Sequence, residues 1–285
     1  MAGGKFKQIK ATDLGGSPGD GGVLALSYEN RITLMKARDV NPAPQGEVLQ
    51  AQLSQDKVLD FIAVGHRQVA VLTSNGSIRL YQLEKTPTGI NESQRPPTSR
   101  GRRHSTTQNP RSTRTFYKGV LAFSPGQTPR GGYPQRNSLE DSLLVAMLKE
   151  SDQFVQGGGD KVIKICRLGR QGASLEAIHR EKIPDDDSRY VEDWSAAVLK
   201  RTEKGNLVIL HVESRHNGRS NCYWVYANIH HFDLRTGERR VSNAHFFRFG
   251  KEQLALASQT LGTSALICGE FGTGKVLFHR FERSY

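Results

Sequence analysis

Several clusters of residues in this 285-residue chain have the types and spacing to do chemistry. Gly269-Glu-Phe-Gly-Thr-Gly-Lys275 sets four residues between a glycine and a Gly-Lys pair. That is the opening of a loop whose backbone N–H groups cradle phosphates while the lysine reaches toward them. Val276 follows, where such a loop needs a Ser or Thr to hold magnesium, so a hairpin turn is the expected role. Gly157-Gly-Gly-Asp160 reads the same way, because no helical pattern follows it. His230 and His231 are adjacent; on a strand they face opposite sides and cannot chelate one metal together. Asp185-Asp-Asp187 follows Pro184 and offers three carboxylates to a divalent cation, with a solvated acidic loop as the ordinary alternative. There is no Gly-x-Ser-x-Gly elbow and no paired Cys/His spacing. The expectation is therefore no catalytic residue, no metal ligand and no cofactor.

Charge is the stronger cue. The formal net charge is +12, and residues 93–139 contain no Asp or Glu. The same stretch carries Arg95, Arg100, Arg102, Arg103, Arg111, Arg114, Lys118, Arg130 and Arg136, which leaves +3 for everything else. Arginine at this density can grip nucleic-acid phosphates or an acidic partner through charge alone; Arg95, Arg100, Arg102, Arg103, Arg111 and Arg114 are the candidate contacts. Arg100-Gly-Arg-Arg-His-Ser105 also has the composition of a nuclear-import cluster and of a kinase substrate with arginine before serine, which nominates Ser105. Phosphate there adds roughly −1.5 to −2 charge and weakens an electrostatic grip. A solubilising loop without a dedicated partner is the bland alternative.

From about 86 to about 115 apolar periodicity disappears and Pro, Ser, Thr, Gln and Arg dominate. Such a segment buries too little apolar surface to offset about 1–2 kcal/mol of ordering entropy per residue. It is expected to be a disordered basic insertion. Residues 1–20, ending in Gly15-Gly-Ser-Pro-Gly-Asp-Gly-Gly22, read as a flexible leader, and 21–285 as a single domain. No apolar run approaches the roughly 18 residues of a membrane span, and the N-terminus lacks a secretory h-region. Cys166, Cys222 and Cys268 are odd in number and far apart, as reduced structural cysteines are. The expected location is nucleus or cytoplasm, with no membrane partner.

The elements that must position these residues are hairpins. Val69-Ala-Val-Leu-Thr-Ser-Asn-Gly-Ser-Ile-Arg-Leu-Tyr-Gln-Leu83 and Phe154-Val-Gln-Gly-Gly-Gly-Asp-Lys-Val-Ile-Lys-Ile-Cys-Arg-Leu168 repeat one plan: strand, polar Gly turn, strand. Val23–Tyr28 and Arg31–Lys36 flank Glu29-Asn30, and Ser264 to Phe281 forms another such pair. The weak helix candidate Lys251-Glu-Gln-Leu-Ala-Leu-Ala-Ser258 reads equally as a strand. The fold class is all-β.

These residues resemble WD40-type β-propeller blades. Ser77–Leu83 and Val162–Leu168 stand where that family has its outgoing strand, Phe232-Asp233 stands in the Trp-Asp place, and Leu121-Ala-Phe-Ser-Pro-Gly126 resembles an inner-strand turn. Tyr81, Cys166 and Phe232 occupy places where a Trp sits in well-formed blades. Blade closures fall near Lys36, Leu83, Leu168, Leu234 and Phe281, at separations uneven against a blade of about 40–45 residues. The resemblance implies a propeller of five to seven blades, open or closed, with an extra irregular blade expected around 116–148. It also implies a non-catalytic interaction scaffold in a multi-subunit nuclear or cytoplasmic assembly, with a divergent propeller enzyme as an alternative. The arginine-rich insertion offers the other alternative, an RNA- or DNA-associated factor such as one in ribosome biogenesis.

Overall fold

Among the described residues, short apolar runs bounded by glycine and polar turns give nineteen strands and no helix. The computed structural model describes residues 6–13, 21–36, 49–64, 67–85, 115–126, 141–151, 159–169, 174–183, 191–202, 204–217, 222–248, 254–261, 263–270 and 276–281. Five antiparallel sheets form in chain order. The first blade holds β1 (Phe6–Asp13), β2 (Gly21–Ser27), β3 (Arg31–Lys36) and β4 (Leu49–Gln52). The second holds β5 (Val58–Ala63), β6 (Gln68–Thr73) and β7 (Ile78–Gln82). β8 (Glu84–Lys85) then returns to pair with β4 of the first blade.

The third blade is β9 (Phe116–Ser124), β10 (Leu143–Glu150), β11 (Lys161–Leu168) and β12 (Leu175–Ile183). The fourth is β13 (Val191–Arg201), β14 (Asn206–Asn217), β15 (Cys222–Asp233) and β16 (Arg239–Arg248). The fifth is β17 (Leu254–Leu261), β18 (Thr263–Glu270) and β19 (Val276–Phe281). The leading strand of each blade lies beside the leading strand of the next, from β1 through β5, β9 and β13 to β17.

Sheet faces meet in succession, and among the described residues three of these meetings are apolar seams. Leu24, Leu26, Ile32 and Leu34 of the first blade pack with Phe61, Val69 and Val71 of the second. The opposite face of the second, with Ala70, Leu72 and Ile78, packs against Leu144, Ala146, Leu148 and Val162 of the third. Val145, Met147, Ile163 and Ile165 then meet Trp194, Leu207, Ile209 and Phe232 of the fourth. A middle strand is thus covered on both sides. β10 accordingly reads Leu-Leu-Val-Ala-Met-Leu without alternation and is buried throughout that run, whereas β12, at the rim, is half-buried or exposed along its whole length.

All five closures read from the sequence fall at the ends of third strands: β3, β7, β11, β15 and β19. Three expectations change. The extra blade around 116–148 is instead β9 and β10, the first two strands of the third blade; residues 86–114, which precede them, lie outside the described residues. The leader of 1–20 contains β1, which pairs with β2 from Phe6↔Ser27 to Asp13↔Gly21. The Glu29-Asn30 turn spans three residues from Tyr28, because Asn30 takes the left-handed conformation (φ 56°) that closes such a turn. β18 and β19, which flank the phosphate-loop look-alike, are antiparallel with Gly269↔Val276; residues 271–275 of that loop lie outside the described residues. No helix among the described residues is long and apolar enough to cross a membrane.

Candidate functional site

Several of the described polar groups that leave the surface tie one blade to another. On β5, Asp60 interrupts Val-Leu-Asp-Phe-Ile-Ala and is only 2% exposed. Its Oδ2 accepts from the backbone N–H of Leu121 at 2.8 Å, and Oδ1 accepts from the N–H of Phe61 at 2.8 Å. Oδ1 also takes a charged hydrogen bond from Lys10 Nζ. Leu121 belongs to β9 and Lys10 to β1, so one carboxylate joins the leading strands of three blades.

A second tie holds the tip of the β6–β7 hairpin to the third blade. Lys164 Nζ on β11 donates to the carbonyl of Gly76 at 2.7 Å and lies 5.9 Å from the ring centroid of Phe116. Phe116 N–H donates to Ser74 O at 2.8 Å. Burial, then the nearby Arg180 charge, lowers the Lys164 ammonium to about 8. Gly76 is required there: its φ of +77° suits glycine, and a Cβ would stand 2.6 Å from Phe116 Cε2.

The third tie lies between the third and fourth blades. Glu213 on β14, 1% exposed, faces Lys161 Nζ of β11 at 2.9 Å and receives the guanidinium of Arg215. Beside it sit His211 and His230, their ring centroids 6.0 Å apart, with the Trp194 indole edge-on to His211 at 4.9 Å. Burial holds both imidazoles below their ordinary range, His230 at about 4.

The three Trp substitutes stand at seams as well. Tyr81 packs on the first seam and shares a hydrogen bond with Ser54 Oγ at 3.1 Å. Cys166 lies in the second, its thiol pushed up to about 11 by burial and therefore unreactive. Phe232 lies in the third, and Asp233 beside it caps the β15–β16 turn by accepting from the N–H groups of Arg235 and Thr236. Those bonds, led by that from Arg235, hold the Asp233 carboxyl below the usual carboxylate range.

His230 is buried and His231 only half-buried on the opposite face, as their alternation required. Among the described residues no group of three or more His, Cys, Asp or Glu is placed to hold a metal. Arg95, Arg100, Arg102, Ser105, Arg103, Arg111 and Arg114 lie outside the described residues, as does Asp185-Asp-Asp187. Sequence reasoning did not single out Asp60, Lys164, His211 or Glu213. The available signal was a lone charged or imidazole side chain inside an otherwise apolar strand.

Sheets stacked face to face, with their leading strands neighbouring in order, make this a WD40-like β-propeller. No protein-family model matches the chain, and no curated protein matches it. Among solved structures, it is similar to the Nup133 β-propeller domain of Vanderwaltozyma polyspora at 12% identity and a TM-score of 0.46, covering 96% of this chain and 71% of that one. It is also similar to the WD40 domain of SCAP from fission yeast at 10% identity and a TM-score of 0.41, covering 97% of this chain. The chain spans 62% of the length of the latter.

Proposed function

We propose that this chain is a non-catalytic scaffold that binds other proteins within a multi-subunit assembly of the nucleus or cytoplasm. Residues 21–285 act as one propeller domain with the 86–115 segment as an insertion. The observation that carries this reading is the use made of buried charge. Asp60, Lys164 and the Lys161–Glu213 pair each join one blade to the next. Such ties favour a frame whose loops and strand rims meet partners while its interior stays fixed. The second blade adds an opportunity: among the described residues β7 has no strand on its far side, since β8 pairs with β4. Strand addition by a partner uses such an edge.

The experiment is purification at native abundance followed by residue-resolved cross-linking. The expected result is a stoichiometric protein partner with cross-links on loops and rims. Elution as a lone chain, with no reproducible cross-linked protein, would refute the scaffold.

One observation favours a second reading, an RNA- or DNA-associated factor: nine positive charges lie in the acid-free stretch 93–139. Here affinity for a nucleic acid falls steeply between 50 and 200 mM salt, with a logarithmic slope of roughly −0.7 to −0.9 per phosphate contact, and vanishes on deleting residues 93–114. Salt-insensitive binding, or binding unchanged by the deletion, rejects it.

A further inference from the structure

The seam between the third and fourth blades has two unlike halves. One is apolar, with Ile163, Ile165, Leu207, Ile209 and Phe232 interlocked. The other contains His211 at 1% exposure and His230 at 6%. Among the described residues no hydrogen-bond partner reaches Nε2 of His211 or either ring nitrogen of His230. Two imidazoles buried this way are accommodated only while neutral, because a buried charge requires a partner.

The charges around them make protonation harder still. β11 contributes Lys161, β14 contributes Arg215, and β16 contributes Arg239, all cations acting on one or both imidazoles. His231, next along β15, acts on His230 in the same sense. β13 presents the uncharged Trp194. Of the carboxylates, Glu213 favours protonation of His230, yet it already faces Lys161 and Arg215. Glu181 of β12 is 2.9 Å from Arg239 Nε and 3.5 Å from His179 Nε2. Both carboxylates are therefore already engaged by cationic or imidazole groups.

We propose that this seam is an acid-sensitive joint: on mild acidification His211 and His230 take up protons only as the third and fourth blades part, so the body is rigid at neutral pH and loosens there first below it. The direction follows from linkage. Both imidazoles ionise below the free value of 6.5 when folded, His230 at about 4. Parted or unfolded chains therefore bind more protons between those values, and stability present above about 6.5 is lost as pH falls toward 4. From pH 7.5 to 5, His230 alone raises the opening equilibrium about thirty-fold by this displacement.

The test is amide hydrogen exchange and urea unfolding of the full chain at pH 7.5 and 5, on the wild type, His230→Phe and the double variant with His211→Phe. The expected result is accelerated exchange in β11, β14 and β15 at pH 5 while β5 and β6 keep their protection. The urea midpoint of the wild type falls, and the double variant loses most of that fall. Uniform acceleration across all blades overturns the proposal, as does an unchanged pH dependence in the double variant. Should that variant not fold, imidazole NMR titration of the wild type decides: two rings titrating near 6.5 in the folded chain refute the joint, and two titrating well below it support it.

Discussion

Asp60→Ala lowers the unfolding free energy by about 3 kcal/mol, the loss expected when one member of a buried charged network is removed. The reason is what it leaves behind. The N–H groups of Leu121 and Phe61 lose their carboxylate acceptor within the seam, and Lys10 loses its counter-charge. Lys10 keeps a third of its side chain in water, which limits the cost to the lower part of the range for buried pairs. Because typical domains are stable by only about 5–15 kcal/mol, a loss of this size is readily measured. Asp60→Asn retains the shape and one acceptor oxygen and falls between the wild type and Ala. Urea unfolding checks the series, and an Ala variant within about 0.5 kcal/mol of the wild type would show that the three-blade tie carries little.

Gly159→Ala has a comparable effect by a different mechanism. Gly159 precedes β11 with φ at +105°, and a Cβ there would stand 2.4 Å from the carbonyl oxygen of Glu150. That oxygen is backbone and cannot swing aside. The same corner holds the Lys149 Nζ bond to Gly159 O at 2.7 Å and the Glu150 N–H bond to Asp160 O at 2.9 Å. Strain at the dihedral together with overpacking costs about 3 kcal/mol. Gly237→Ala is the control: φ is +77°, but nothing lies within 4 Å of the added carbon, so only the left-handed penalty of about 1 kcal/mol applies. Equal thermal shifts for the two variants would contradict the steric account.

Hairpin grammar was legible because it is local. Gly76 and Asn75 announce the β6–β7 turn: Asn75 Oδ1 accepts from the N–H of Ser77 at 2.9 Å, and Gly76 takes the positive φ. Blade boundaries were legible for the same reason, since a third strand ends in a turn whose residues are chemically distinctive, as with Asp233. Three things were not. β1, Phe-Lys-Gln-Ile-Lys, inverts the usual pattern, with Phe6 and Ile9 exposed while Gln8 and Lys10 are half-buried. The assignment of β9 and β10 to one blade depends on pairing across a long interruption, from Leu143↔Ser124 to Glu150↔Phe116, which spacing does not encode. The seam ties are the deepest omission. Asp60 and His211 read as ordinary polar interruptions until blades far apart in sequence supply Leu121, Lys10 or Lys161 as neighbours.

The return of β8 to β4 has a consequence for dissecting the molecule. Glu84 and Lys85 complete the outer margin of a sheet whose other members end by residue 52. The first two blades are therefore interleaved, and neither can be excised cleanly by following the order of the chain. A fragment stopped at Leu83, where the repeat pattern suggests cutting, strips the neighbouring unit of its outermost ribbon. The natural point of severance falls after Lys85.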